Sequence, residues 1–306
     1  MTDTVESLLR EATAELRAAG VEGARLDARL LLERATGLDR ARLLAASRDP
    51  VDATAADRFR ALVAERRARR PLAQVLGRRE FWSLDFAVTA DTLTPRPDSE
   101  TLVEAALAFA ADRGLAAPRV LDLGTGTGCL LLAVLHDLPA ATGLGIDASA
   151  GAVAVARGNA RALGLDPRAR FAVADWNDDA AGWADAGPFD LVLANPPYIR
   201  DGDIPGLEPE VAVHEPRRAL AGGADGLDAY RALTARLDRW LAPGGAAFLE
   251  LGAGQDGAVA ALAAAAGLSV AAVARDLAGI ARCLVLRRSG GDDLIKKTVG
   301  NGGEPD

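Results

Sequence analysis

Four consecutive residues, Asn195, Pro196, Pro197 and Tyr198, form the pattern in this sequence that most clearly suggests chemistry. They follow an apolar run, residues 189–194, that is typical of a buried strand. Two successive prolines cannot continue a central strand because neither donates a backbone N–H, so the chain must leave the sheet in a rigid turn. In that turn the Asn195 side-chain carbonyl and the Pro196 backbone carbonyl could accept two hydrogen bonds from one planar NH2 group, with the Tyr198 ring beside them.

Such a pair of acceptors suits transfer of a group to a nitrogen. An amide or exocyclic amine nitrogen is a poor nucleophile because its lone pair is delocalised, and two fixed acceptors would hold its hydrogens and aim the lone pair at an electrophile. The proton can leave after transfer, so no general base of shifted pKa is required. A plain proline turn is the alternative, and the two features described next argue against it.

A glycine-rich loop precedes this turn in the chain. The predicted strand 120–123 runs directly into Gly124, Thr125, Gly126, Thr127 and Gly128, and a predicted helix follows. Such a loop lets a ligand approach the backbone and presents free N–H groups at a helix N-terminus. Its G-x-G-x-G spacing differs from the G-x-G-x-x-G of dinucleotide sites, and no Lys-Ser/Thr follows as in a P-loop. The loop therefore predicts a nucleotide-like ligand other than NAD(P) or ATP, with a structural turn as the alternative.

Acidic residues follow the next two predicted strands. Asp147 ends the strand 143–146, and an acid roughly 20 residues beyond a glycine loop can accept both hydroxyls of an adenosine ribose. Its alternative role is the N-cap of a helix at 148–157. Asp175 and Trp176 follow the third strand, where they could contact the adenine amino group and ring. Trp176 could equally belong to the core, since tryptophan is highly buried on average.

Composition excludes several other chemistries. The 306 residues hold two Cys and two His, too few for a disulfide framework or a Cys-rich metal site, so we expect no metal. The N-terminus lacks the pattern of a signal peptide and no apolar run approaches a membrane span, which predicts a cytoplasmic protein. A net charge of -8 argues against a dedicated duplex-DNA binder.

The elements that must position these residues follow from periodicity. Residues 3–70 have apolar positions at helical spacing and predict a small helical bundle, either a packing module or a substrate-docking domain. Residues 80–94 suggest a hairpin of two short strands. From residue 119 onward, short apolar strands alternate with Ala-rich helical stretches, which predicts an α/β fold with a parallel sheet covered by helices on both faces. Residues 289–306 are rich in Gly and Asp and predict a disordered tail.

Seven segments together resemble the release-factor glutamine methyltransferases (the PrmC/HemK family), a branch of the class I S-adenosylmethionine-dependent methyltransferases. The segments are PLAQVLGRREFW at 71–82, TPRPDSE at 94–100, DLGTGTG at 122–128, NPPYI at 195–199, HEPRRALAGGADGL at 214–227, LELGAGQ at 249–255, and the D-x-x-G-x-x-R of Asp276, Gly279 and Arg282. The resemblance extends over residues 5–288. Two departures stand in TPRPDSE, where the family usually has an aliphatic residue in place of Thr94 and Thr in place of Ser99.

The resemblance implies a class I methyltransferase fold: a Rossmann-like, mostly parallel seven-stranded sheet with an N-terminal helical bundle. It implies a substrate-docking domain at 1–79, a hairpin linker at 80–95, a methyltransferase domain at 96–288 and the tail at 289–306. The implied cofactor is S-adenosyl-L-methionine, bound by the glycine loop, Asp147, Asp175, Trp176 and Asn195. The implied reaction is methyl transfer to the side-chain amide nitrogen of the glutamine in the Gly-Gly-Gln motif of peptide chain release factors, with Asn195 to Tyr198 holding that amide.

Two other functions stay open on the sequence. Methyltransferases acting on an adenine or guanine of DNA or rRNA present the same planar NH2 to the same tetrapeptide, but they must also capture a base and the phosphate backbone. No recognition insertion or basic run follows Tyr198. A cofactor-binding protein without transfer activity is the non-enzyme alternative, and the intact tetrapeptide argues against it. We expect a monomer that binds neither nucleic acid nor membrane directly.

Overall fold

The computed structural model describes residues 3–178, 183 and 186–289, and within them the chain forms eleven α-helices and nine β-strands. The helices are α1 Val5–Ala18, α2 Ala24–Thr36, α3 Arg40–Ala45, α4 Ala53–Arg67, α5 Leu72–Leu76, α6 Glu100–Asp112, α7 Cys129–Asp137, α8 Ala150–Ala162, α9 Pro209–His214, α10 Asp228–Trp240 and α11 Asp256–Ala265. The strands are β1 Arg78–Phe81, β2 Leu84–Ala87, β3 Arg119–Leu123, β4 Thr142–Asp147, β5 Ala169–Val173, β6 Phe189–Ala194, β7 Leu241–Glu250, β8 Leu268–Arg275 and β9 Ala281–Arg288.

Seven strands form one sheet in the order β5-β4-β3-β6-β7-β9-β8. Neighbours from β5 to β7 pair in parallel, and β9 runs antiparallel to both β7 and β8. Apolar side chains from both faces of the sheet enter two separate buried clusters, so the sheet is covered on each side. This arrangement confirms the predicted class I methyltransferase fold, with its mostly parallel sheet.

The described residues separate into two compact units. One contains the described part of Met1–Arg79 together with Gly206–Glu215, and the other contains Glu80–Pro205 and the described residues from Pro216 onward. The inclusion of Gly206–Glu215 with the first 79 residues was not part of the predicted domain division, whose boundaries stay a prediction. The predicted tail lies outside the described residues except for Ser289.

The first unit is a helical bundle because its helices bury apolar side chains against one another. Val5, Leu8, Ala12 and Leu16 line the buried stripe of α1, and Thr4 begins the helix with a capping box in which its side chain accepts from the Ser7 backbone N–H. The buried apolar side chains of α1, α2 and α4 form a single cluster in this unit. No helix in the described part of the chain combines the length and apolar character needed to cross a bilayer.

The predicted hairpin forms as the two-stranded sheet of β1 and β2. Trp82 and Ser83 make the turn with φ of 54° and 56°. Positive φ at both central residues is the geometry of a tight two-residue turn whose twist matches that of the flanking strands.

Candidate active site

A cavity of about 360 Å³ opens at the carboxyl ends of the parallel strands, where open α/β sheets bind ligands. The loops after β3, β4, β5 and β6 all contribute to its wall, and so does the segment before α6. The sequence-predicted residues on the wall are Gly124, Thr125, Gly126, Thr127, Asp147, Asp175, Trp176, Asn195 and Pro197. Gly128, Pro196 and Tyr198 are not on it.

The glycine loop has a backbone that favours glycine at alternate positions. Gly124, Gly126 and Gly128 have φ of 74°, 53° and 81°. The Gly124 and Thr125 backbone N–H groups both donate to the Ile146 carbonyl at 2.9 Å, which fixes the loop over the end of β4. A Cβ on Gly124 would lie 3.0 Å from the Trp176 ring, so glycine also lets these two sides of the cavity approach.

Gly128 lies where the loop enters α7, as the N-cap residue of that helix. A Cβ there would contact Leu132, Ala156 and Phe171 at 3.2 to 3.4 Å, so the third glycine is needed for packing behind the loop. A contact between Gly128 and the cofactor stays a prediction.

Asp147 holds the loop and lines the cavity at the same time. Its Oδ2 accepts from the Gly126 backbone N–H at 3.0 Å and its Oδ1 accepts from the Ser149 backbone N–H at 2.8 Å. The alternative role of N-cap for the following helix is wrong, because α8 begins after Ser149, whose hydroxyl accepts from the Ala152 N–H. Asp147 is therefore positioned for a ligand on the cavity side.

Asp175 and Trp176 line the cavity just after the end of β5. Asp175 Oδ1 accepts from the Asn177 backbone N–H at 2.8 Å, which fixes a tight turn. Trp176 is half-buried, and its ring both lines the cavity and packs against the apolar cluster on that face of the sheet. Trp176 is therefore partly a core residue, and its contact with an adenine stays a prediction.

A buried carboxyl group lies beneath the glycine loop. Asp122 is fully buried and its Oδ2 accepts from the Thr125 hydroxyl at 2.6 Å. Burial raises the pKa of Asp122 to about 7, against the lowering effect of that hydrogen bond. The short bond ties the loop to β3 and orients the Thr125 side chain.

The tetrapeptide leaves the sheet at Ala194, as two successive prolines require. Asn195 Nδ2 donates to the Ser99 hydroxyl at 3.3 Å, and the Tyr198 hydroxyl donates to Glu250 Oε1 at 3.4 Å. Gln255 Nε2 donates to the Tyr198 carbonyl at 3.0 Å, which fixes the end of the turn. Asn195 and Pro197 face the cavity, while the Tyr198 hydroxyl is directed to a buried carboxyl group.

Two segments that sequence reasoning gave no role line the same cavity. Residues 91–96 and Ser99 approach from before α6, and Pro216, Arg218 and Ala219 approach from the loop after α9. Residues 94–96 and Ser99 belong to the TPRPDSE segment, and Pro216, Arg218 and Ala219 belong to the HEPRRALAGGADGL segment. Both segments contribute to the family resemblance, but neither had been given a role. Glu250, the last residue of β7, forms a hydrogen bond with the Ser99 side chain, and its burial raises its pKa to about 7.

The arrangement fits S-adenosylmethionine. Asp147 presents a carboxylate at the tip of β4 for the ribose hydroxyls, Trp176 offers an aromatic face near the glycine loop, and Asn195 lies on the same wall as both. The cavity volume of about 360 Å³ is within the range of small-molecule sites. In the described part of the chain no cluster of three or more His, Cys, Asp or Glu side chains could hold a metal ion.

Comparison with known proteins gives matches over nearly the whole chain. Residues 7–77 match the family model of the PrmC N-terminal domain, and residues 116–250 match that of a methyltransferase domain. A release factor glutamine methyltransferase of Rhodospirillum rubrum is 52% identical over 281 residues, which cover 92% of this chain and 84% of the relative. Proteins of the same name from Bradyrhizobium diazoefficiens and Cereibacter sphaeroides are 45% and 47% identical, covering 93% and 91% of this chain and 95% and 96% of their own lengths.

Proposed function

This chain belongs to the family of release factor glutamine methyltransferases, and from that premise we propose that it methylates the side-chain amide nitrogen of the Gly-Gly-Gln glutamine in peptide chain release factors. The family and the enzyme class predicted from the motifs are confirmed by relatives that match more than nine-tenths of the chain. The single observation that best supports the reaction is Asn195, placed on the wall of the cavity that also contains the glycine loop and Asp147.

The chain's own residues have separable tasks in this reaction. When bound, S-adenosylmethionine supplies an electrophilic methyl group on a sulfonium, and transfer leaves a thioether. Gly124 to Thr127 and Asp147 would hold the cofactor, and Trp176 would lie beside its adenine. Asn195 Oδ1 on the cavity wall, and the carbonyl of Pro196, which is not on that wall, would accept hydrogen bonds from the two N–H groups of the glutamine amide. The nitrogen lone pair would then be directed at the methyl group.

No side chain has to act as a base. The amide nitrogen forms the new N–CH3 bond first and then loses one proton to solvent, because a protonated amide is a strong acid. The scarcity of His and Cys in the sequence fits this scheme, and both cysteines are free thiols, Cys283 buried and Cys129 partly so. The expectation of a cytoplasmic protein, where thiols stay reduced, remains a proposal supported by these free cysteines.

We also propose that the enzyme acts as a monomer and without direct contact to nucleic acid. The net charge of -8 supports the second point, since a nucleic-acid enzyme needs cations for the phosphate backbone. Light scattering on the purified protein tests the first. Methyl transfer from labelled cofactor to DNA or rRNA, but not to a release factor, would overturn the second together with the proposed substrate.

The decisive assay uses labelled S-adenosylmethionine, the purified chain and a release factor. Label should enter the release factor and should be lost when its motif glutamine is replaced by alanine. The variant Asn195→Ala should lose transfer by at least about 100-fold, the cost of removing one oriented hydrogen-bond partner in a transition state. Cofactor affinity, measured by calorimetry, should stay near that of the parent chain. Normal turnover by Asn195→Ala would contradict the role assigned to this residue.

A further inference from the structure

Two buried side chains that the proposed mechanism does not use are connected to Asn195. Ser99 lies just before α6, is 3% exposed, and accepts from Asn195 Nδ2 at 3.3 Å. Glu250 ends β7, is 2% exposed, and takes part in a hydrogen bond with the Ser99 side chain that lowers the pKa of the carboxyl group. The three residues lie just before α6, just after β6 and at the end of β7, and hydrogen bonds connect Asn195 to Ser99 and Ser99 to Glu250. Ser99 and Asn195 both line the cavity.

We propose that Ser99 and Glu250 are positioning residues that determine which end of the Asn195 amide faces the glutamine substrate. This inference rests on the proposed function: one orientation of the Asn195 side-chain amide is required only if Asn195 accepts a hydrogen bond from the substrate glutamine.

The orientation of the Asn195 amide follows from the number of hydrogens that its neighbours can donate. A serine hydroxyl has one hydrogen, and Glu250 can only accept when it is ionised, as it is above its raised pKa of about 7. If the Ser99 hydrogen is directed to Glu250, only lone pairs of Ser99 face Asn195, which must then present its NH2 group to them. The Asn195 Oδ1 is thereby turned away from Ser99 and is free to accept from the substrate amide. With the Asn195 amide reversed, its NH2 group would face the NH2 group of the substrate glutamine, and no hydrogen bond would form between these two donors.

A second set of contacts holds Ser99 in place and gives a role to the late D-x-x-G-x-x-R segment. Arg282 Nη2 lies 2.9 Å from Oδ2 of Asp98, the residue next to Ser99, and Arg282 Nε donates to Asp276 Oδ2 at 2.9 Å. Asp276 is itself fixed because its Oδ1 accepts from the backbone N–H groups of Ala278 and Ile280. The segment therefore anchors the residues just before α6.

Rescue and coupling experiments test this inference with the full chain. Ser99→Ala should lower kcat about 10- to 100-fold, as loss of orientation at a reacting group does. The KM for the release factor and the Kd for the cofactor should change less than kcat. Ser99→Thr keeps the hydroxyl and should recover most of the rate. Ser269→Ala, an exposed serine-to-alanine change on β8, serves as the matched control, and melting curves verify that each variant is folded.

Coupling separates orientation from a general structural effect. If Ser99 and Glu250 act through one chain of hydrogen bonds, the double variant Ser99→Ala with Glu250→Gln should lose no more rate than the worse single variant. Additive losses, a Ser99→Thr variant as slow as Ser99→Ala, or a Ser99→Ala variant with parental kcat would each overturn the inference. Those outcomes require an active parent enzyme, so they are distinct from failure of the proposed function, in which the parent chain itself would not methylate a release factor.

Discussion

Asp147 holds the glycine loop, and we propose that the same carboxylate binds the cofactor. Its oxygens accept from Gly126 and Ser149 N–H groups, so its position is fixed before any ligand arrives, and it lies on the cavity wall. Hydrogen bonds to a charged group contribute about 1.5 to 3 kcal/mol each. Asp147→Ala should therefore weaken binding of S-adenosylmethionine roughly 10- to 100-fold. Isothermal titration calorimetry measures the change directly.

Asp166→Ala provides the matched control for that prediction. Asp166 is exposed in the turn after α8 and does not line the cavity described above, so its cofactor affinity should equal that of the parent chain. Unchanged affinity in Asp147→Ala would contradict the assignment of this residue to the ribose. Affinity lost equally in both variants would indicate a general effect of removing charge.

Residues whose role depends on their own segment could be predicted from the sequence, and those that act through distant partners could not. Asp147 and Asn195 follow apolar strands directly, so the sheet edge on which they lie follows from periodicity alone. Ser99 contacts Asn195 across 96 residues, and Tyr198 contacts Glu250 across 52. Such spacings leave no local pattern, and only the paired strands bring these side chains together.

At the scale of elements, the buried strands of the sheet were predictable because they are short apolar runs between turn residues. The edge strand β8 was harder to predict from the sequence. Strand β8 is mostly exposed, its accessible and buried positions do not alternate, and its register with β9 shifts twice. The alternation of a half-buried strand is not present there, so residues 268–275 gave no clear strand signal.

Gly145 in strand β4 leaves room for the glycine loop because it has no side chain. A Cβ on Gly145 would lie 2.7 Å from both Thr125 Oγ1 and the Phe171 ring. Gly145→Ala should therefore displace Thr125, lower the free energy of unfolding by about 1 to 3 kcal/mol and weaken cofactor binding. Urea unfolding and calorimetric titration of the same preparation measure both effects.

Gly158→Ala is the control for this substitution. Gly158 lies in α8 with nothing within 4 Å of its hypothetical Cβ, and alanine is favoured over glycine in a helix by about 0.5 to 1 kcal/mol. This variant should be slightly more stable and bind the cofactor normally. If Gly145→Ala were as stable as the parent chain, the loop could accommodate a side chain beneath it.

At the scale of the whole molecule, the chain passes between its two units more than once. Residues Gly206–Glu215 follow the tetrapeptide closely in sequence, yet they belong with the helical unit. Glu210 explains this grouping: its carboxylate accepts from Arg66 Nη1 at 2.8 Å and from Arg69 Nη2 at 2.6 Å. Arg66 also donates to the buried Asp27 at 2.7 Å. Charged residues this far apart in sequence show no pattern from which the pairing could be predicted.

The ion pairs of Glu210 should make stability of the helical unit depend on pH in a defined direction. Burial alone would raise the pKa of this carboxyl group, but the hydrogen bonds from Arg69 and Arg66 outweigh it and lower the pKa to about 2. The stabilisation is therefore present above the ordinary carboxyl pKa and is lost as pH falls towards 2. Glu210→Gln should lower the free energy of unfolding by about 3 kcal/mol at pH 7, and its difference from the parent chain should shrink below pH 4.5. Denaturant unfolding followed by circular dichroism measures both values.

Glu65→Gln, which removes the exposed pair with Arg70, is the control and should lower the free energy of unfolding by no more than about 1 kcal/mol. Equal effects of the two variants would show that burial does not strengthen the Glu210 pairs.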